Sequence, residues 1–145
     1  AFAAIGQGVF VVGADPEAAN VVKLSGNFLL AAAIEAIAEA VALVRKSGTD
    51  AASFMEVVNA LFRSPVLENY GKAIAERRFE PAGFALKLGL KDMRLALAAA
   101  DAREVPMPLA SLLHDRFLAA AGRGLSEVDW AGVARVSSAD AGMPD

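Results

Sequence analysis

A lysine and an asparagine stand one helical turn apart in an apolar stretch close to the N-terminus, NVVKLSGNFLL. On a helix, Lys23 and Asn27 point to the same side. Burial disfavours the charged form of a lysine, which can then give or take a proton near neutral pH. An amide one turn away can hold its ammonium or bind the same substrate group. The commoner alternative for such a pair is a lysine that reaches solvent beside an ordinary exposed asparagine.

A second group of polar residues lies in the stretch FALKLGLKDMRLAL. If this stretch is helical, Phe84, Lys87 and Lys91 share one side of it. Two lysines four residues apart destabilise a helix slightly unless an anion lies between or beside them, and a phosphate or a carboxylate would fit. The alternative is a solvated face on which Asp92 and Arg94 balance the charge.

The composition excludes several classes of function. The 145 residues carry a net charge of −3 without a dense basic run, so we expect no nucleic-acid partner. There is no cysteine, which excludes disulfides, thiolate metal sites and a cysteine nucleophile. No histidine lies near the carboxylates of Glu35 and Glu39 to complete a metal site, and we expect no metal. A chain without cysteine is compatible with the reducing cytoplasm, which is the expected location.

The apolar run from Phe28 to Val44 raises the question of a membrane. Glu35 and Glu39 interrupt the run and Arg45 ends it, whereas a bilayer span needs about 20 apolar residues with few or no charges. We therefore interpret the run as the buried helix of a bundle, with the two glutamates on its polar edge, and expect no membrane partner.

The longest predicted element begins at a strong helix start, GADPE. Asp15 can cap the helix, Pro16 suits its first turn, and no further proline precedes Lys46 and the stop at Gly48. These signals predict a helix of about 30 residues, a spine shared by two domains or two subunits. Before it, VFVV at Val9–Val12 is a candidate strand whose ladder partners would lie elsewhere.

Capping and stop signals delimit the remaining helices in the same way. We predict an all-α fold, a helical bundle built on the long N-terminal helix, followed by a disordered tail. The predicted helices run from Asp50 to Phe62, from Ser64 through SPVLENYGKAIAER, from Phe84 to Arg103, from the break at VPMP to Ala121, and from Ser126 to Val136. Residues 1–5 are predicted to be the end of a preceding helix.

The order of these stretches resembles the C-terminal half of the β-hydroxyacid dehydrogenases, the family of 3-hydroxyisobutyrate dehydrogenase and of glyoxylate/succinic semialdehyde reductases. The matching stretches are KLSGN at 23–27, AEA at 38–40, FALK at 84–87 and KDMRLA at 91–96. The resemblance covers about residues 9–136. K-x-x-x-N alone is a weak signal, but its order and distance relative to the K-D motif make the combination specific.

The resemblance implies an oxidoreductase that interconverts a small hydroxyacid and its aldehyde or keto acid with NADP or NAD. Lys23 would be the proton donor in reduction and the acceptor in oxidation, and Asn27 would orient the substrate or the lysine. Lys91 would bind the cofactor, while Phe84 and Asp92 would bind the substrate. Family members usually dimerise through this helical domain, so the implied partners are a second copy and a small hydroxyacid or aldehyde acid.

The resemblance also implies a division into domains. Residues 1–14 would be a remnant of an N-terminal dinucleotide-binding (Rossmann) domain, namely its last strand. Residues 15–137 would form the helical substrate and dimerisation domain, and residues 138–145 the disordered tail. Most of the cofactor contacts would belong to the Rossmann domain, which this sequence does not contain, so we expect the chain alone to be inactive.

Two other functions are compatible with the same residues. A non-catalytic helical dimerisation module would explain the alanine-rich packing and would leave the lysines on the surface. An imine reductase shares the architecture, but those enzymes usually carry another residue at the position of Lys23.

Overall fold

The computed structural model describes residues 8–144, and within them the chain forms a helical bundle without β-strands. The elements in chain order are α1 (Pro16–Lys46), α2 (Ala51–Phe62), α3 (Pro65–Ala75), α4 (Leu86–Asp101), α5 (Pro108–Gly122), a 3₁₀-helix (Trp130–Val133) and α6 (Ala134–Asp140). The predicted all-α class is confirmed. The helix end predicted for residues 1–5 lies outside the described residues.

Local capping signals define the first three helices. The side chains of Asp15, Asp50 and Ser64 each accept a hydrogen bond from a backbone N–H in the first turn of the helix that follows. Such a bond satisfies one of the donors that a helix start leaves unpaired. Pro16 and Pro65 occupy the first turns of α1 and α3, where no backbone donor is needed. The predicted bounds of α1 and α2 are confirmed.

The spine helix α1 is long and apolar enough to cross a membrane by length and composition alone, as the core helix of a soluble bundle can also be. One side of α1 packs inside this bundle, where Ala31, Ile34, Ala38 and Val41 are each at most 1% exposed. The long helix therefore supplies the core with one face and leaves another face open.

The rings of Trp130 and Phe117 lie at the centre of the core, and α4 rests on them. Trp130 is 2% exposed and Phe117 0%, with ring centroids 6.5 Å apart. Gly89 of α4 lies directly against both rings. Since α4 also packs against α1 and α5, the aromatic rings help to set the position of α4 relative to α1.

The strand predicted at Val9–Val12 is not formed. Residues 8–13 have no regular secondary structure, and the four side chains of VFVV are 42–90% exposed. A strand needs a neighbour to pair its backbone N–H and C=O groups. No other strand in the described part of the chain offers that pairing.

The start of α4 differs from the prediction, because Phe84 lies before the helix and not on it. Helix α4 begins at Leu86 and ends at Asp101. The Asp129 carboxylate accepts hydrogen bonds from the backbone N–H groups of Gly83 at 3.0 Å and Phe84 at 3.1 Å. The residue after Phe84 pairs with Asp129 in an isolated β-bridge. These contacts keep the segment extended up to the first turn of α4.

Glu35 is buried, contrary to the prediction of a polar helix edge. Its side chain is 4% exposed, and Oε1 accepts a hydrogen bond from Nε of Arg116 in α5 at 2.6 Å. Arg116 also donates to Asp140 and Ser137 of α6. A carboxylate is tolerated in a core when a charged partner compensates it. That partner is 81 residues away, so the local sequence does not reveal it.

The disordered tail predicted for residues 138–145 begins too early. Helix α6 continues to Asp140, and Ser138 is 5% exposed. The Lys46 ammonium at the end of α1 donates a hydrogen bond to the carbonyl oxygen of Ala141 at 2.8 Å. Packing against α1 therefore gives structure to residues whose polar composition indicates a tail.

Candidate active site

Three polar side chains from α1 and α4 meet around the carboxylate of a fourth. Helix α1 contributes Lys23 and Asn27, and α4 contributes Lys91 and Asp92. The Lys23 ammonium lies 3.0 Å from Oδ2 of Asp92, and the amide of Asn27 donates a hydrogen bond to the same oxygen. The Lys91 ammonium lies 3.1 Å from Oδ1. These four residues are called the lysine–aspartate cluster below.

The carboxylate at the base of the cluster is fully buried, with Asp92 0% exposed. Burial raises the pKa of Asp92, but hydrogen bonding from Lys23 and Asn27, the approach of Lys91 and the charge of Lys23 together lower that pKa below its ordinary value. The ionised form is therefore favoured, and it serves as counterion to two ammonium groups. Oδ1 accepts no hydrogen bond of good geometry, since Lys91 approaches it only as a charge contact.

The two lysines of the cluster remain open to solvent. The side chain of Lys23 is 53% exposed and that of Lys91 54% exposed. The burial that would desolvate Lys23 is thus not found in this chain, and Asp92 tethers the lysine instead. The cluster presents two ammonium groups at its surface and keeps the carboxylate beneath them.

Phe84 does not join the lysine–aspartate cluster. Its ring packs edge-to-face on Trp130, with centroids 4.8 Å apart and ring planes at 64°. Together with Asn69, Tyr70 and Asp129 it lines an open depression between α3 and the segment that precedes α4. Phe84 therefore forms an apolar wall of a depression that also contains polar groups.

Lys87 and Lys91 have separate carboxylate partners and do not share an anion. The Lys87 ammonium lies 2.7 Å from Oε2 of Glu127, and both side chains are more than half exposed. Lys91 contacts Asp92. An exposed pair such as Lys87–Glu127 adds little to stability. Carboxylates of the protein thus balance the like charges that the sequence places four residues apart.

Asp129 organises the start of α4, a role that the sequence argument missed. The N-cap residue of α4 makes no side-chain hydrogen bond. The N–H groups of Leu86 and Lys87 instead donate to backbone carbonyls within residues 126–128. In the predicted final helix, from Ser126 to Val136, Asp129 would only belong to the first turn. Its hydrogen bond to Phe84 spans 45 positions, a separation that no local pattern reports.

A protein-family model matches nearly all of the helical bundle. Residues 18–137 match the family model described as the NAD-binding domain of NADP-dependent 3-hydroxyisobutyrate dehydrogenase. The chain belongs to this family, whose members are NAD(P)-dependent hydroxyacid dehydrogenases. The resemblance of the motifs and the predicted cofactor class are confirmed.

Individual relatives agree with the family match. The chain is 44% identical over 127 residues to the uncharacterized oxidoreductase YfjR of Bacillus subtilis, covering 88% of this chain and 44% of the relative. It is 31% identical over 134 residues to glyoxylate/succinic semialdehyde reductase 1 of Arabidopsis thaliana, covering 92% of this chain and 46% of that enzyme.

A solved structure shares the fold. The crystal structure of 3-hydroxyisobutyrate dehydrogenase from Salmonella typhimurium superposes with a TM-score of 0.85 at 27% identity, over 92% of this chain and 47% of that one. The present chain therefore spans less than half the length of the relatives it matches.

Proposed function

We propose that this chain is the substrate-side and dimerisation domain of a cytoplasmic NAD(P)-dependent oxidoreductase that interconverts a small hydroxyacid and its aldehyde or keto acid. The observation that carries the proposal is the lysine–aspartate cluster. It places an ammonium that substrate can reach on Lys23 and fixes that ammonium on the buried carboxylate of Asp92, and a general acid must lie within hydrogen-bond reach of the atom that takes its proton.

Lys23 transfers the proton in this proposal. During reduction the carbonyl carbon of the substrate gains a hydride while its oxygen takes a proton from the Lys23 ammonium, which leaves a hydroxyl group and a neutral amine. During oxidation the amine takes that proton back. Asp92 and Asn27 orient the reaction partners, because Asp92 holds the ammonium at 3.0 Å and Asn27 shares the same carboxylate oxygen.

The cluster also fits the nicotinamide end of the cofactor that the family uses. Lys91 offers a half-exposed ammonium beside Lys23. Oδ1 of Asp92 is buried without a hydrogen-bond donor of good geometry, so a donor from a bound group would satisfy it. We assign Lys91 to cofactor binding on these grounds. When bound, the nicotinamide supplies or accepts the hydride.

The charge of the cluster suits an acid substrate. Two ammonium groups, Lys23 and Lys91, face one carboxylate, Asp92, so the group carries one net positive charge that attracts the carboxylate of a hydroxyacid. Asp92 is fully buried, so it would serve substrate binding by holding Lys23 and Asn27 in place. Phe84 lies outside the cluster, and its predicted contact with the substrate gains no support from this site.

A chimeric enzyme tests this proposal. The segment of B. subtilis YfjR that aligns with this chain is replaced by the chain, and oxidation of NADPH or NADH is followed with small aldehyde acids. Lys23→Ala should lower kcat by about 10²–10⁴, the usual contribution of a general acid. Lys72→Ala removes an exposed lysine of α3 and should leave kcat unchanged. A folded chimera that reduces none of these acids, or a Lys23→Ala variant with near-native turnover, would contradict the proposal.

The exposure of Lys23 favours a second candidate, a non-catalytic dimerisation module. In that case the 53% exposed side chain is a surface residue and Asp92 only stabilises the contact between α1 and α4. The two candidates differ in the chimera, because a module tolerates Lys23→Ala without any change in turnover.

A further inference from the structure

Gly89 is the point at which α4 comes closest to the aromatic core. A Cβ atom at this position would lie 3.1 Å from Cε3 of Trp130 and 3.2 Å from Cε1 of Phe117. The Trp130 ring is confined further by the rings of Tyr70 and Phe84, whose centroids lie 5.9 and 4.8 Å away. Rings in a close-packed core do not move aside as the end of a flexible side chain does. A side chain at position 89 must therefore push α4 away from the core.

Any displacement of α4 at Gly89 also moves Asp92. The two residues are three positions apart, so they lie on adjacent parts of the same helix surface. Asp92 contacts Lys23 at 3.0 Å and Asn27 across the gap between α4 and α1. Hydrogen bonds weaken once the two heavy atoms are more than about 3.2 Å apart. A shift of a few tenths of an ångström at α4 is enough to take the Lys23 contact past that limit, whereas the shorter contact with Asn27 would stay within it.

We propose that Gly89 is a positioning residue for the lysine–aspartate cluster. Because Gly89 has no side chain, α4 packs directly against Trp130 and Phe117. This packing distance brings Asp92 into contact with Lys23 and Asn27. Gly89 acts only through Asp92 and touches no reacting group. Its consequence for catalysis rests on the proposed function, but the position of Asp92 is measurable without any reaction.

The test is the titration of the Asp92 carboxyl by ¹³C NMR in the present chain and in Gly89→Ala. In the native chain the nearby donors keep the pKa of Asp92 below its ordinary value. In Gly89→Ala the donors are farther away while burial still disfavours the charge, so the pKa should shift upward. Adding Phe117→Leu removes one of the two ring contacts and should move the pKa back toward the native value.

Two other glycines provide matched controls. A side chain at Gly71 of α3 would overlap the flexible end of Met55, which must move to make room. Gly71→Ala therefore disturbs a different part of the core and should leave the titration of Asp92 unchanged. Gly26 of α1 has open space around it, and Gly26→Ala should change neither the packing nor the titration.

Three results would overturn the inference. Asp92 could titrate in Gly89→Ala as it does in the native chain, it could shift equally in Gly71→Ala, or Phe117→Leu could fail to reverse the shift. If Gly89→Ala unfolds in plain buffer, the titration is made in sucrose, an uncharged osmolyte that favours the compact state. In the chimera, a Lys23→Ala variant with normal turnover would refute the proposed function while an upward shift in Gly89→Ala would still support the positioning role.

Discussion

A carboxylate that is fully buried requires charged partners, and Asp92 takes them from two helices. Lys23 comes from α1, whereas Lys91 is its neighbour on α4. Removing a buried group of this kind leaves its partners uncompensated, although both ammonium groups here can still be hydrated because they are half exposed. The residue therefore serves stability as well as the proposed chemistry.

The stability contributed by Asp92 should depend on pH. Because its pKa is lower in the folded chain than in the unfolded one, this contribution is present above the ordinary carboxyl pKa and is lost as pH falls through the lowered pKa. Asp92→Asn should reduce the free energy of unfolding by about 1–3 kcal/mol at neutral pH, and the difference from the native chain should shrink in acid. Urea unfolding at a series of pH values measures both quantities.

Asp101→Asn is the control for this pH dependence. Asp101 is exposed and lies at the C-terminal end of the same helix, so its removal should change stability by less than about 0.5 kcal/mol. If Asp92→Asn and the native chain lose stability in parallel as the pH falls, Asp92 does not contribute in the way described.

At the scale of the elements, one arginine joins three helices. Arg116 of α5 donates to Glu35 of α1 and to Ser137 and Asp140 of α6. Burial raises the pKa of Glu35 above its ordinary value, and the charge and hydrogen bond of Arg116 offset only part of that rise. These bonds link the short helix α6 to α5 and, through Glu35, to α1.

Arg116→Ala should lower the free energy of unfolding by about 3 kcal/mol, because it leaves the buried carboxylate of Glu35 without its counterion. Arg123→Ala is the matched control. Arg123 also pairs with Asp140, but both side chains are more than 40% exposed, so this change should cost less than about 1 kcal/mol. Thermal or urea unfolding measures the free energy of unfolding of the two variants. If both variants lose the same amount, the burial of Glu35 is not the reason that Arg116 stabilises the chain.

The elements that local signals define were predictable from the sequence, and those that distant contacts define were not. Asp15, Asp50 and Ser64 act within the next three residues, so their pattern predicted the starts of α1, α2 and α3. The spacing of Lys23 and Asn27 likewise predicted a shared face. The burial of Glu35, by contrast, depends on a side chain 81 residues away, and the start of α4 depends on a loop that follows α5.

At the scale of the whole molecule, the open face of α1 is apolar and symmetric. It carries the stripe Leu29, Ala33, Ala36, Ala40 and Leu43, with spacings of four, three, four and three residues, which is the pattern of helices that pair side by side. The two leucines are 66% and 72% exposed. Each lies seven residues from the central alanine, so the order of residue types along the stripe is the same from either end and the spacing is nearly the same.

A symmetric stripe fits a second copy of the same helix running in the opposite direction. In a two-fold interface, every contact between two positions occurs twice, and a residue on the axis meets its own copy. With the axis at Ala36, Leu29 of one chain lies opposite Leu43 of the other. Small side chains at the centre allow close approach of the two helices. We infer that the proposed homodimer forms through this face.

The absence of cysteine from the chain allows a direct test of this dimer. Ala36→Cys should form a disulfide-linked dimer under mild oxidation, because residues on the axis bring their Cα atoms within about 7 Å. Leu29→Cys and Leu43→Cys should each cross-link poorly alone and efficiently when mixed. Ala98→Cys, on the exposed side of α4, measures cross-linking by random collision. The arrangement is wrong if Ala36→Cys reacts no faster than Ala98→Cys, or if the native chain sediments as a monomer at high micromolar concentration.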